Sequence, residues 1–286
     1  MDLAFPMADP LSESGVRSRL KNKRLQLYVL QRVTSTNTVL RQMAEEGAED
    51  GSVLLADSQP AGRGRMDRRF YSPPGTGLYL SLLLRPRIPA ADAVRITACA
   101  AVAAAEAIEE VSGRRTAVKW VNDILLDGRK VCGILTEGSV DPLTGLLRYA
   151  VVGIGVNITP PPDGFPPELR TVAGAVCERN EPGLRCRLAA LLLDRLTELC
   201  ERLPEADCYE AYRRRSCIPG HEIMIVSPDA APVPATALDI LPDFSLLVRL
   251  QDGTEKALST GEVSIRTAEN VSEPETNTLS PEGRKP

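Results

Sequence analysis

Short apolar runs alternate with amphipathic stretches along the first two thirds of the chain, which predicts a sheet flanked by helices. Runs typical of strands cover residues 25–33, 52–59, 77–86, 116–120 and 146–158. Helical spacing of apolar residues covers 35–48, 92–113 and 184–203, with Ser35 or Thr36 as the N-cap of the first helix. Residues 123–139 predict a hairpin, because Asp127-Gly128 suits a turn that requires positive φ.

The pattern changes after residue 217. Five short strands separated by turns predict a small all-β barrel over 218–266, which leaves 25–217 as one larger domain. Residues 1–24 mix proline, serine and basic side chains and are predicted to be a tail or a short leading segment. Residues 267–286 are predicted to be disordered, because they hold too few apolar side chains to offset the entropy of ordering.

Composition restricts the class of protein. The 286 residues are 43% apolar, which is enough for one large domain and a small one. A net charge of −4 does not favour binding to nucleic acid or to a membrane surface. The chain has no apolar run of membrane-spanning length and no signal peptide at its start, so we expect a cytoplasmic protein.

The cysteines and the single histidine limit the kinds of catalytic and metal sites that this protein can have. The seven cysteines form no Cys-x-x-Cys motif and are predicted to be buried thiols in a reducing compartment. The single histidine, His221, precedes an apolar run and is predicted to lie at the entrance of a strand. One histidine excludes a His-rich metal site and argues against a Ser–His–Asp triad.

Positive charge is concentrated in the segment QPAGRGRMDRRFYSP, Gln59 to Pro73, which contains four arginines and two glycines. Glycine lets a backbone approach a ligand closely, and arginine presents a planar fork that suits a phosphate or a carboxylate. The segment is neither a Walker A loop nor a dinucleotide fingerprint. It therefore predicts an anion-binding loop, although a loop that contacts RNA can have a similar composition.

Three further motifs follow in order: KWVND at 119–123, GRKVCGILTE at 128–137 and GIGVN at 153–157. Lys119 could stabilise charge on a reacting acyl or phosphoryl oxygen, and Asn122 and Asp123 could hold a ribose or a metal-bound phosphate. A surface Lys–Asp pair is the plainer alternative. Gly153 and Gly155 would clear space for a flat ligand on one face of a strand, unless they mark a β-bulge.

These motifs, preceded by STN at 35–37, give residues 25–266 a resemblance to the bacterial biotin protein ligases, the biotin–[acetyl-CoA-carboxylase] ligases. The resemblance implies an α+β fold: a class II synthetase-like catalytic domain with a mixed β-sheet flanked by helices, plus a small SH3-like β-barrel. Only about 24 residues precede the first strand, so we expect the form that lacks an N-terminal helix-turn-helix domain.

The resemblance also assigns site residues. The catalytic group is Arg65, Lys119 and Lys130. The biotin site is Ser35, Thr36, Asn37, Gln59, Gly62, Arg63, Arg65, Lys119, Gly133, Gly153 and Gly155. The nucleotide site is Phe70, Trp120, Asn122, Asp123, Lys130 and Asn157, and Asp123 is also the candidate ligand for Mg²⁺.

The implied reaction uses ATP and biotin as substrates, with Mg²⁺, to form biotinyl-5′-adenylate. Biotin then passes to a lysine of a biotin carboxyl carrier protein, and no nucleic acid or membrane takes part. Family members occur as monomers or as homodimers. Met66-Asp67 departs from the small residue and glycine usual in the loop, and Phe70 replaces a usual tryptophan with a smaller stacking surface. Neither change removes a charge that the reaction needs, so we expect an active enzyme.

Two alternatives share the fold. A lipoate–protein ligase would activate a similar carboxylate, and a non-catalytic module would bind biotin or its adenylate without transferring it. The Arg/Gly loop and the Lys-Trp-x-Asn-Asp segment favour biotin over lipoate, and the intact set of charges favours an enzyme.

Overall fold

A mixed seven-stranded sheet forms the centre of the larger part of the chain, as the alternation of apolar runs predicts. The computed structural model describes residues 10–66, 68–179, 181–203, 208–227, 230–259 and 262–265. The strands are β1 Gln26–Arg32, β2 Ser52–Ser58, β3 Gly77–Leu84, β4 Thr116–Lys119, β5 Asp123–Leu126, β6 Arg129–Val140 and β7 Leu147–Asn157. Their order is β1-β2-β3-β7-β6-β5-β4, with β1 and β2 parallel and every other pair antiparallel.

Five helices accompany this sheet in the described residues: α1 Glu13–Arg19, α2 Thr36–Glu45, α3 Ala93–Ser112, α4 Leu184–Cys200 and α5 Tyr209–Arg215. The predicted alanine-rich helix is α3, and most of its alanines are fully buried. Small side chains let its backbone pack closely against the sheet, and it ends at Gly113 in the left-handed conformation. None of the described helices is both long enough and apolar enough to cross a bilayer.

Part of residues 1–24, predicted to be a tail or a short leading segment, forms the helix α1. Ser12 caps this helix by accepting a hydrogen bond from Gly15 N at 3.1 Å. Val16 and Leu20 are buried in the main hydrophobic core, and the helix packs against α4. One buried apolar residue in the seven of the helix is too few to reveal it by periodicity. Residues 1–9 and the predicted disordered tail, 267–286, lie outside the described residues.

The strands predicted after residue 217 are confirmed. They are β8 Glu222–Ser227, β9 Ala230–Ile240, β10 Leu246–Leu250, β11 Glu255–Leu258 and β12 Glu262–Ile265. They form one antiparallel sheet in the order β11-β10-β9-β8-β12. Closure of this sheet into an SH3-like barrel stays a prediction, and so does the domain boundary at 217–218.

The two sheets meet at the segment that follows β4. Trp120 donates its indole N–H to the Phe244 carbonyl oxygen at 2.9 Å, and the Tyr212 hydroxyl donates to the Val121 carbonyl oxygen at 3.0 Å. The Phe244 and Tyr212 rings pack edge to face, with centroids 5.5 Å apart. The small sheet and α5 therefore pack against the KWVND segment and support it. The sequence pattern did not reveal α5.

A buried ion pair fixes the base of the Arg/Gly loop. Arg185 lies on α4 and is only 2% exposed, although arginine is rarely buried so fully. Its guanidinium donates to Asp57 Oδ1 at 2.7 Å and to the Gly77 carbonyl oxygen at 2.9 Å. Asp57 also accepts a hydrogen bond from Gly75 N at 3.2 Å. Both ends of the loop between β2 and β3 are thus tied to α4, and loss of Asp57 would cost about 3–5 kcal/mol because the Arg185 charge is buried.

Candidate active site

One cavity of about 640 Å³ gathers the motifs that the sequence analysis singled out. It lies between the Arg/Gly loop, the start of α2 and residues of β4 to β7. The predicted site residues that line it are Ser35, Thr36, Asn37, Gln59, Arg63, Arg65, Phe70, Lys119, Trp120, Asn122, Asp123, Lys130, Gly133, Gly153 and Gly155. Segments more than 100 residues apart in the chain therefore meet at one site.

Two predicted site residues do not line this cavity. Gly62 supports the loop instead: a Cβ there would lie 2.4 Å from the Phe70 carbonyl oxygen, and Phe70 N donates to the Gly62 carbonyl oxygen at 2.9 Å. Asn157, at the end of β7, donates its side-chain amide to the Gly174 carbonyl oxygen at 3.1 Å.

The Arg/Gly loop is a small hairpin that covers the cavity. Gln59 pairs with Ser72 and Arg63 with Arg69 in antiparallel bridges. Gly64 N donates to the Arg68 carbonyl oxygen at 2.7 Å, and Met66 takes a positive φ of 52° at the turn. Asp67, the departure from the family pattern, lies outside the described residues.

A hydrogen-bonded set of neutral side chains forms one end of the cavity. Gln59 Oε1 accepts from Thr36 N at 2.7 Å and lies 3.1 Å from the Thr36 hydroxyl. The Ser81 hydroxyl lies 2.6 Å from Asn37 Oδ1 and 2.8 Å from Thr36 Oγ1. Ser81 is fully buried and was missed by sequence reasoning, although a serine in the otherwise apolar β3 was a usable signal. Ser35 is the N-cap residue of α2, as predicted, but its side chain makes no capping hydrogen bond.

Cationic side chains form the middle of the cavity. Lys130 Nζ lies 2.7 Å from Asp123 Oδ1. Arg65 reaches across from the loop and donates to Asn122 Oδ1 at 2.8 Å, while Asn122 donates to the Ile134 carbonyl oxygen at 2.9 Å. Lys119 ends β4 opposite Asp123 in the same hairpin. Three cations from three elements therefore surround a volume that could accept more than one anionic group.

The strand glycines make room for side chains of the protein itself. A Cβ on Gly155 would lie 2.5 Å from the Phe70 ring, and one on Gly153 would lie 2.0 Å from Asn37 Oδ1. The pairing of β6 with β7 and of β3 with β7 is regular at both glycines, so the β-bulge alternative is wrong. Phe70 packs edge to face on Tyr79, with ring centroids 6.4 Å apart, and forms a wall of the cavity.

The change Gly155→Ala should lower the free energy of unfolding by about 1–3 kcal/mol, because the new methyl group overlaps the Phe70 ring. Urea unfolding measures this cost. The double variant Gly155→Ala with Phe70→Leu should regain most of the lost stability, since leucine is smaller at that contact. Unchanged stability of the single variant would contradict the proposed packing.

The far end of the cavity was not predicted. It is lined by mainly apolar residues from β5 and from the irregular segment 169–174: Leu125, Leu169, Thr171 and Val172. That segment is held to β6, because Lys130 N donates to the Val172 carbonyl oxygen at 2.8 Å and Gly174 N donates to the Lys130 carbonyl oxygen at 2.9 Å. Irregular backbone of this kind has no periodicity that a sequence analysis could detect.

The cysteines and the histidine play no evident part in the site. Cys132 is fully buried, and burial raises the pKa of its thiol, which keeps it neutral. All seven cysteines are free; four are buried and three are half-buried. His221 is exposed at the entrance of β8, as predicted. No group of three or more His, Cys, Asp or Glu residues within the described part of the chain could hold a metal ion.

Comparisons with known proteins agree with this geometry. Residues 29–157 match the model of the biotin/lipoate A/B protein ligase family. The bifunctional ligase/repressor BirA of Bacillus subtilis is 39% identical over 170 residues, which cover 59% of this chain and 52% of that protein. The chain thus spans about half the length of the first curated relatives it matches.

Longer matches exist. The bifunctional ligase/repressor BirA of Escherichia coli is 30% identical over 84% of this chain and 74% of its own length. The biotin–[acetyl-CoA-carboxylase] ligase of Mycobacterium tuberculosis is 30% identical over 81% of this chain and 87% of its own length. Among solved structures, the biotin protein ligase of Aquifex aeolicus in complex with biotin and ATP has the same fold, with a TM-score of 0.67 at 24% identity over 84% of this chain and 98% of that one. The chain belongs to the biotin/lipoate A/B protein ligase family, and within it to the biotin protein ligases.

Proposed function

We propose that this protein is an ATP-dependent biotin–protein ligase that activates biotin as biotinyl-5′-AMP and transfers it to a lysine of a biotin carboxyl carrier protein. The observation that carries the proposal is the convergence of Arg65, Lys119 and Lys130 between a neutral polar end and an apolar end of one cavity. This order of surfaces matches a molecule with an uncharged polar ring, a carboxylate, a phosphate and a purine.

The neutral polar end suits the ureido ring of biotin. Ser35, Thr36, Asn37 and Gln59 supply both donors and acceptors there, and most of them are fixed by hydrogen bonds to one another or to Ser81. The glycine-rich strands β6 and β7 form the floor beneath the ring and tail. The apolar end formed by Leu125, Leu169 and Val172 suits an adenine ring. The structure of the Aquifex aeolicus relative was solved with biotin and ATP.

The first step joins two anions. A carboxylate oxygen of biotin forms a bond to the α-phosphorus of ATP, and the bond from that phosphorus to the bridging oxygen of pyrophosphate breaks. Arg65, Lys119 and Lys130 would offset the repulsion between the groups and stabilise the extra negative charge of the pentavalent phosphorus. Because the folded site holds these cations in place, they need not reorient during the reaction as water molecules would.

The second step needs no nucleophile from the enzyme. The neutral ε-amine of the carrier lysine attacks the acyl carbon of the adenylate, the carbon–oxygen bond to phosphate breaks, AMP leaves, and the amine proton passes to solvent. Before that, the mixed anhydride must be kept from water. The Arg/Gly hairpin over the cavity supplies this cover, and the neutral, buried Cys132 agrees with a reaction without covalent enzyme intermediate.

Magnesium enters this proposal as part of the nucleotide substrate. Asp123 supplies the only carboxylate among the described residues that line the cavity, and it is already paired with Lys130. Mg²⁺ commonly keeps several waters and binds one or two carboxylates together with substrate phosphates. This donor set fits a magnesium ion that arrives with the triphosphate, with Asp123 as the residue that would hold it. Bound there, the ion would supply charge neutralisation for the departing pyrophosphate.

We further propose that the enzyme acts in the cytoplasm, where ATP is available.

Incubation with MgATP, biotin and a purified carrier domain tests the function. We expect the intact mass of the carrier to rise by one biotinyl group, and biotin to drive exchange of labelled pyrophosphate into ATP. Exchange driven by lipoate instead would identify a lipoate ligase. Tight biotin binding without exchange or transfer would identify a non-catalytic module.

A further inference from the structure

Glu137, on β6, accepts hydrogen bonds from three side chains. Its carboxylate accepts from Asn37 Nδ2 at 3.0 Å and from Arg41 Nη1 at 3.0 Å. Arg63 Nη1 lies within hydrogen-bond distance of both carboxylate oxygens, at 2.9 and 3.0 Å. The Glu137 side chain is only 17% exposed, so these contacts are weakly screened by solvent.

This arrangement changes what Arg63 can do. The family resemblance assigns Arg63 to substrate binding, and its position at the cavity is consistent with that. Its guanidinium, however, already donates to both oxygens of a mostly buried carboxylate, so this contact fixes its position before any ligand arrives. Arg65, two residues further along the same loop, lines the cavity and donates to Asn122 Oδ1 at 2.8 Å.

We propose that Glu137 is a positioning residue that anchors the Arg/Gly hairpin over the cavity through Arg63. In this arrangement the role of Arg63 is to fasten the loop. Arg63 pairs with Arg69 in the hairpin, so one ion pair at Arg63 restrains both strands of the loop. Glu137 also orients the Asn37 amide, whose Nδ2 donates to the Leu135 carbonyl oxygen at 3.1 Å as well. One carboxylate thereby couples the loop to the polar end of the cavity.

Two variants and a matched control test the anchor in the ligand-free protein. Glu137→Gln keeps the shape of the side chain and removes its charge, whereas Arg63→Gln removes the partner on the loop. Arg41→Gln is the control, because it takes one cationic partner from the same carboxylate but lies on α2, outside the loop. Urea unfolding of each variant confirms that it folds.

Amide hydrogen exchange of the loop is the first measurement. Gly64 N and Phe70 N are hydrogen-bonded within the hairpin, so their exchange reports its opening. We expect amide exchange to be roughly fivefold faster in Glu137→Gln and in Arg63→Gln, because each change removes a half-exposed ion pair. In Arg41→Gln we expect the exchange rate to change by less than about twofold. Unchanged exchange in the first two variants would overturn the proposal.

Release of bound biotinyl-5′-AMP is the second measurement, and it rests on the proposed ligase function. We expect release to be roughly fivefold faster in each single variant and no faster in the double variant Glu137→Gln with Arg63→Gln, because both changes break the same contact. Arg63→Lys, which keeps the charge, should retain most of the slow release. Additive effects in the double variant would show that Arg63 holds the ligand independently of Glu137, against the proposal. If the wild-type protein forms no adenylate, the proposed ligase function is wrong. The amide hydrogen exchange of the loop still tests the Glu137–Arg63 anchor in that case.

Discussion

Lys119→Ala should slow the formation of biotinyl-5′-AMP by about 100- to 1,000-fold, the usual effect of removing a charged group aimed at the reacting atoms. Lys119 ends β4 and lines the cavity beside Asp123 and Arg65, where the carboxylate and the α-phosphate would meet. The ammonium group offsets charge that is greatest in the transition state, so the rate of the chemical step should fall more than biotin affinity does. Single-turnover release of pyrophosphate measures that step.

The control for this variant is Lys256→Ala. Lys256 lies exposed on β11 of the small sheet, so its loss changes the net charge equally without touching the cavity. We expect its single-turnover rate to match that of the wild type. A wild-type rate in Lys119→Ala would remove Lys119 from the proposed mechanism.

Arg65→Ala should release biotinyl-5′-AMP about 100-fold faster, because the change removes a cation from the anion site together with a tether of the loop. Arg65 Nη1 donates to Asn122 Oδ1 at 2.8 Å and so holds the hairpin against the KWVND segment. Adenylate that escapes into solution reacts with any exposed lysine. We therefore expect biotin on proteins that lack the carrier sequence, which mass spectrometry of a mixed protein sample would detect.

A surface arginine in a simple ion pair provides the comparison. Arg249, on β10, pairs with Glu255 at 2.8 Å and is half exposed. Arg249→Ala should retain the adenylate as the wild type does and should label only the carrier. If Arg65→Ala keeps the adenylate equally well, the loop cation has no retaining role.

The secondary structure followed from local sequence wherever the local signal was strong. The hairpin turn predicted at Asp127-Gly128 has φ of 49° and 76°, because glycine and aspartate tolerate that conformation and the strand twist demands it. The strands and the three long helices agree with their predicted ranges to within a few residues. The helices α1 and α5 were missed, since each has seven residues and is stabilised by packing of one or two side chains rather than by an amphipathic repeat.

Residues of the site were recognised when a compact motif assigned them a role and missed when their role depends on distant partners. The motifs of the Arg/Gly loop and of KWVND named Arg65, Lys119 and Asn122 in advance, and the cavity brings all three together. Ser81 was missed although it interrupts the apolar β3, and Glu137 was missed although it is the last residue of the GRKVCGILTE motif. Their importance comes from partners, Asn37 for both, that lie 44 and 100 residues away in the chain.

The amino-acid sequence by itself determined which chemical groups this protein has and the local backbone conformation that carries them. These groups are arginines on a glycine-containing loop, lysines at strand ends, and glycines in two strands. Only the tertiary structure decided how those groups are partnered. It buried Arg185 against Asp57, joined Arg63 to Glu137 and brought Arg65 to Asn122. The physical reason is that the energy of a charge depends on the dielectric surroundings and on the nearest opposite charge, and folding sets both through contacts between distant segments.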